Sequence, residues 1–296
     1  MKKLLLVVAS LVLVAACSPA ASGGVGSGTV KVVAGENFWG SIASQLGGSH
    51  ATVQSVVSDP NADPHEYESS SSDARAFAEA RLVILTGAGY DSWGQKLLDA
   101  NKATNRRVLN IAELLGKKQG DNPHFWYDPS YVTRIADEIT SDYKSIDPAD
   151  ATYFDQQRFQ VKAQFQPYMD EIANIKQKYP HVPIGATESI FQYMAAALGL
   201  DLITPIEFMD AVAEGNDPPA GAVAKFQRQI SGNQIKALVY NVQTSTAVTT
   251  NIKSLATSHR IPSVGVSETL QPENLSFQDW QLKQLQDLEA GLKSSG

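Results

Sequence analysis

The sequence predicts an α/β fold of two similar lobes with mainly parallel sheets, joined by a long backbone helix. Three observations lead there. Short β-rich runs alternate with amphipathic helical runs from residue 29 onward. The alternation stops over residues 147–180, where one apolar face recurs at helical spacing. It then resumes toward the C-terminus, with no linker of flexible composition between the halves.

In the first lobe, residues 29–146, the run 29–36 (TVKVVAGE) reads as a strand and 38–46 as a helix. Residues 52–58 form a strand and 71–80 a helix, with Arg75, Ala76 and Glu79 at helical spacing. Residues 81–86 (RLVILT) are a buried strand, 92–100 a helix and 107–112 (RVLNIA) a strand. Asp128-Pro129 starts a further helix. The joining segment, residues 147–180, opens on Asp147-Pro148, an N-cap with proline at the first helical position. Phe154, Val161, Phe165, Tyr168, Ile172, Ile175 and Tyr179 share one face. Such a helix spans about 45 Å. Pro167 kinks it and Pro180 ends it. In the second lobe, residues 181–296, the runs 182–187, 202–208, 236–241 and 263–267 read as strands. Runs 189–198, 220–230, 245–258 and 276–292 read as helices.

The N-terminus carries a different message. Lys2 and Lys3 precede 13 apolar or small residues, 4–16, too few for a bilayer span of about 20. Residues 1–16 read as a secretory signal. They end on Val14-Ala15-Ala16, followed by Cys17, the only cysteine. This resembles the lipobox of bacterial lipoproteins, with Cys17 lipidated. Residues 17–28 are a flexible tether rich in Gly and Ser. The expected location is extracytoplasmic, on the outer face of a bacterial cell membrane, held there by the lipid alone. A formal charge of −7 argues against nucleic acid as a partner.

Two of the five histidines follow proline in loops beyond strand ends. His65 sits in Ala62-Asp63-Pro64-His65-Glu66, and His124 in Asn122-Pro123-His124-Phe125-Trp126. Proline stiffens a loop and lowers the entropic cost of presenting a ligand. Open α/β sheets place their binding crevice beyond the carboxyl ends of strands. The second lobe has Glu188 and Glu268 at equivalent places. Each acid alone would read as an ordinary helix-start residue. Phe38, Trp39 and Trp126 read as core.

The segments ADPHEYE, NPHFWYDP, TESIFQYMAAALGL and PSVGVSETL resemble, in order and spacing, the four ligand segments of the zinc/manganese solute-binding lipoproteins of ABC importers. Residues 81–93 (RLVILTGAGYDSW) resemble the family's strand–turn–helix after the first ligand loop. The resemblance implies a single divalent metal ion between the lobes, bound by His65, His124, Glu188 and Glu268. It also implies a monomer that hands its cargo to the importer's permease and ATPase. Asn122 stands where the family often has Asp, and Glu268 where it usually has a shorter Asp. A set of two imidazoles and two carboxylates disfavours Cu(I) and Ca²⁺. A Glu at the third position and the absence of a His-rich loop favour Mn²⁺, with Zn²⁺ next and Fe²⁺ behind. The alternatives are a metal-dependent hydrolase and a binding protein for a metal chelate. Against the hydrolase, His65-Glu66 begins a zincin motif, but Ser69 occupies the place of the second histidine. Gly87-Ala88-Gly89 lacks the third glycine of a dinucleotide fingerprint, since Ser92 stands there.

Overall fold

A computed structural model describes residues 29–60 and 67–295. The signal segment, the whole tether with Cys17, and His65 lie outside the described residues.

The central strands of each lobe are largely buried on both faces, as parallel sheets require. The first lobe runs β1 (Val30–Glu36), α1 (Asn37–Gly47), β2 (Ala51–Val57), α2 (Ser71–Glu79), β3 (Leu82–Leu85), α3 (Ser92–Ala100), β4 (Arg107–Asn110), α4 (Ile111–Leu115) and α5 (Pro129–Ile146). The connecting segment holds α6 (Ala151–Gln164) and α7 (Gln166–Lys178). The second lobe runs β5 (Pro183–Ala186), α8 (Gln192–Ala197), β6 (Asp201–Leu202), α9 (Ile206–Ala213), α10 (Ala220–Ser231), β7 (Leu238–Asn241), α11 (Ala247–Ser258), β8 (Ser263–Val266) and α12 (Phe277–Ser294).

The strand orders are β2-β1-β3-β4 and β6-β5-β7-β8, the same topology twice, and every pairing is parallel. In each sheet the chain order reverses beside the first strand. That switch point opens a crevice at the strands' carboxyl ends. In β3, Leu82 and Ile84 face one core cluster while Val83 and Leu85 face another. The first of these clusters is continuous through both lobes, from Val30 to Leu292. Two smaller clusters cover the outer faces of the sheets.

The connecting helix is broken rather than continuous. Phe165 separates α6 from α7, two residues before Pro167. Proline lacks an N–H and its ring crowds the carbonyl four residues back, so the disturbance falls upstream of the ring. Asp147-Pro148 also differs from expectation. Pro148 opens a 3-10 turn, Pro148–Asp150, and α6 begins only at Ala151. The expected strand 202–208 reduces to the two-residue β6, because Pro205 ends extended structure and Ile206 begins α9. The expected strand 107–112 stops at Asn110, whose side chain accepts from Glu113 N–H and caps α4.

Helix α12 ties the halves together. Phe277 stacks on Phe165 with ring centroids 5.8 Å apart and meets Trp280 and Tyr168 edge-on. Ser41 in α1 accepts from Phe277 N–H at 3.0 Å, and Asn37 Oδ1 accepts from Leu270 N–H at 3.0 Å. A shared core predicts cooperative unfolding. In urea the chain should lose both lobes in one transition, and Phe277→Ala should lower stability by about 3–5 kcal/mol. Two separated transitions would contradict the shared core.

Candidate metal centre

Three loops bring acid and imidazole groups to the facing ends of the two sheets. His124 lies in the loop after α4, immediately before a 3-10 turn, Phe125–Tyr127, that buries three aromatic rings. Asp128 then caps α5, accepting from Ser130 N–H at 2.8 Å and Tyr131 N–H at 3.2 Å. Trp126 stacks on Phe38, centroids 4.1 Å apart, which fixes the His124 loop to the core. Glu188 follows β5 and Glu268 follows β8. One nitrogen of His124 and one oxygen each of Glu188 and Glu268 lie within 4.8 Å of one another. His124 and Glu268 are 0% exposed and Glu188 is 1% exposed. Of the four residues singled out in the sequence, the structure brings these three together; the fourth, His65, is not among the described residues.

Each group is oriented by neighbours. Asn122 Oδ1 accepts from His124 Nδ1–H at 2.7 Å, which places the ring's lone pair on Nε2. Nε2 lies 3.9 Å from Glu268 Oε2. Glu268 Oε2 accepts from the Tyr90 hydroxyl at 2.7 Å, and Oε1 from Asn241 Nδ2 at 2.6 Å. The Glu268 backbone N–H donates to Gln243 Oε1 at 2.6 Å. The Tyr127 hydroxyl donates to Ser267 O at 2.9 Å, and Trp280 Nε1 donates to Ser267 Oγ at 3.0 Å, so the residue before the acid is fixed as well. Burial, then the charge of Glu268, pushes the Tyr90 phenol up, so it stays a hydrogen-bond donor.

Tyr90, Asn241 and Gln243 are partners of Glu268 that sequence reasoning missed. Tyr90 reaches Glu268 because the turn from Thr86 to Tyr90 carries three successive positive φ angles, at Gly87, Ala88 and Gly89. Asp91 holds that turn by accepting from Thr86 N–H at 2.6 Å and Gly87 N–H at 2.8 Å. Asn241 ends β7 as Glu188 follows β5, both at the crevice of the second sheet. A polar residue just past a buried strand was the available signal.

Behind this group sits a second buried acid pair. Glu36 Oε2 accepts from Thr86 Oγ1 at 2.8 Å, and Thr86 Oγ1 accepts from Trp39 Nε1 at 2.8 Å. Burial pushes the Glu36 carboxyl well above the usual range, and the charge of Asp91 adds to it. Burial also raises Asp91, against the backbone N–H groups that it accepts from. A cavity of about 560 Å³ opens beside His124 between the lobes, walled by Tyr90, Asn122, Tyr193, Lys117 and Asp210.

The sign of the Glu36 effect follows from linkage. Its folded pKa lies above the unfolded value of 4.5, so its contribution is full below that value and lost as pH rises through the folded one. Glu36→Gln, which mimics the protonated form, should match the parent protein in stability at about pH 4 and exceed it at about pH 8. Denaturant melts at the two pH values check this; a variant weaker than the parent at the higher pH would contradict it.

The arrangement can be set beside known proteins. The family described as the periplasmic component A of the zinc-uptake complex matches residues 32–291. The chain is 24% identical over 186 residues to the manganese-binding lipoprotein MntA of Halalkalibacterium halodurans, covering 59% of this chain and 59% of that protein. It thus spans about three-fifths of that relative's length. It is 24% identical over 225 residues to the manganese ABC transporter substrate-binding lipoprotein PsaA of Streptococcus pneumoniae, covering 68% of this chain and 70% of that one. Among solved structures, the manganese-bound form of a mutant periplasmic metal-binding protein from Candidatus Liberibacter asiaticus superposes with a TM-score of 0.76 at 15% identity, over 89% of this chain and 99% of its own. A crystal structure of ZnuA gives 0.68 at 23% identity, over 90% and 98%. At these identities the structures speak for the fold. With a family match reaching from β1 into α12, the chain belongs to the periplasmic zinc-uptake component A family.

Proposed function

We propose that the chain captures one divalent transition-metal ion in the cleft between its lobes and delivers it to an ABC importer. The observation that carries this reading is the meeting of His124, Glu188 and Glu268 within 4.8 Å, out of water, on loops from both lobes. A neutral imidazole with two carboxylates gives a mixed nitrogen and oxygen set that compensates a double positive charge, so the ion can be held without bulk water. The absence of thiolate from this set argues against Cu(I), and its imidazole against Ca²⁺.

His65 is the proposed fourth ligand, on the strength of its Pro-His loop and the family's segment order. Mn²⁺ is the favoured cargo and Zn²⁺ the next. Two carboxylates can bind through both oxygens and raise the coordination number, and two relatives are named for manganese. Permease and ATPase are the proposed partners, and the mature chain is a monomer tethered through a lipid on Cys17, with residues 1–16 removed. The work is capture and release, with no covalent bond made or broken. Tyr90 and Asn241 hold Glu268 in its ligating position.

Calorimetric titration of metal-free protein with Mn²⁺ and Zn²⁺ tests the reading. His124→Ala, Glu188→Gln and Glu268→Gln should each weaken binding more than about 100-fold, beyond what loss of an outer partner costs. Tyr90→Phe should weaken it about tenfold. Binding should also fall below about pH 6, since a ligating imidazole must be neutral. Parent-like affinity in all three ligand variants would refute the proposal.

A further inference from the structure

We propose that Asn122 is a positioning residue that couples the His124 ligand to the ligand loop of the second lobe and so sets how fast bound metal leaves. The proposal rests on the metal-binding reading above. It stands on the way one side chain is used by both lobes.

Asn122 Oδ1 accepts from the His124 backbone N–H at 3.1 Å and from its Nδ1–H at 2.7 Å. Nδ2 donates to Ser189 O at 2.8 Å and to Gln192 Oε1 at 2.9 Å, both in the second lobe. The Asn122 backbone carbonyl accepts from the Tyr193 hydroxyl at 2.9 Å. The amide's orientation is unambiguous, because a backbone N–H faces its oxygen and a backbone carbonyl faces its nitrogen. One side chain therefore touches a ligand directly and, across the cleft, the residue next to another ligand, Glu188. Tyr131 and Tyr193 meet edge-on at 5.6 Å nearby, and Lys117 Nζ sits 5.6 Å and 5.8 Å from their ring centroids. The lobes are thus clasped beside the metal centre by a polar joint with an aromatic rim.

The joint depends on amide chemistry. It needs an acceptor toward His124 and two donors toward Ser189 and Gln192. A carboxylate of the same shape keeps the first and loses the second, and it sets a charged oxygen against two acceptor oxygens. Asn122→Asp therefore separates holding the histidine from clasping the lobes. Gln192→Leu removes one acceptor and leaves both bonds from His124 to Asn122 Oδ1 in place.

The test uses the full chain. Release of Mn²⁺ into excess chelator is followed by stopped flow, and backbone amide exchange over residues 188–193 is measured in metal-free protein. Absorption of the Co²⁺-loaded protein reports the ligand set. We expect release roughly tenfold faster in Asn122→Asp, equivalent to about 1.4 kcal/mol. A smaller acceleration is expected in Gln192→Leu. Exchange over residues 188–193 should rise in both, with the Co²⁺ spectrum unchanged. Parent-like release and exchange in both variants would overturn the proposal. So would a changed Co²⁺ spectrum without faster exchange, because Asn122 would then act through His124 alone. If the parent protein binds no metal, the functional reading fails, and the exchange data still decide whether the clasp exists.

Discussion

Two buried carboxylates held a few ångströms apart repel each other when both are ionised. At an effective dielectric near 20, two unit charges about 5 Å apart cost roughly 3 kcal/mol. Glu188 and Glu268 are kept in that arrangement by the fold, with His124 beside them. A divalent cation turns the repulsion into attraction to a shared centre. The rest of the molecule can be understood as the apparatus that imposes this convergence.

Imposing it takes rigidity on both sides of the cleft. Each lobe presents the carboxyl ends of a four-stranded parallel sheet, and the same strand order occurs in both. A core continuous through both lobes, with α12 packed on α7 and β8, limits how far the two crevices can part. Around Glu268 the restraint is local and polar: a phenol, an amide and a glutamine side chain on the backbone N–H each fix one part of it. Around His124 it is aromatic packing plus one amide. Asn122 restrains groups on both sides at once.

Much of the fold was legible in the sequence because parallel strands and amphipathic helices leave strong periodic signals. Residues 81–86 read as a buried strand, and β3 occupies Leu82–Leu85. Residues 92–100 read as a helix, and α3 has those bounds. Legibility failed where one residue overrides its neighbours. The apolar run beginning at Leu202 looks extended until Pro205 halts it and α9 takes over. The break in the long helix, by contrast, falls at Phe165, just upstream of Pro167, where the sequence placed a kink. At the candidate metal centre, His124, Glu188 and Glu268 could be singled out because they follow strands or sit in a rigid Pro-containing loop. Their partners could not. Tyr90 and Glu268 are separated by 178 positions, and no periodicity links them. Asn122 could be seen to belong to a loop, but its second set of bonds, to Ser189 and Gln192, exists only once the lobes face each other.

Convergence on one ion is a spatial proposition, and crystals grown with Mn²⁺ and measured at the manganese absorption edge test it. A single anomalous peak is expected between the lobes, within about 2.0–2.3 Å of His124 Nε2 and of one oxygen each from Glu188 and Glu268. A peak bound to only one of those three residues, or lying outside the cleft, would contradict it.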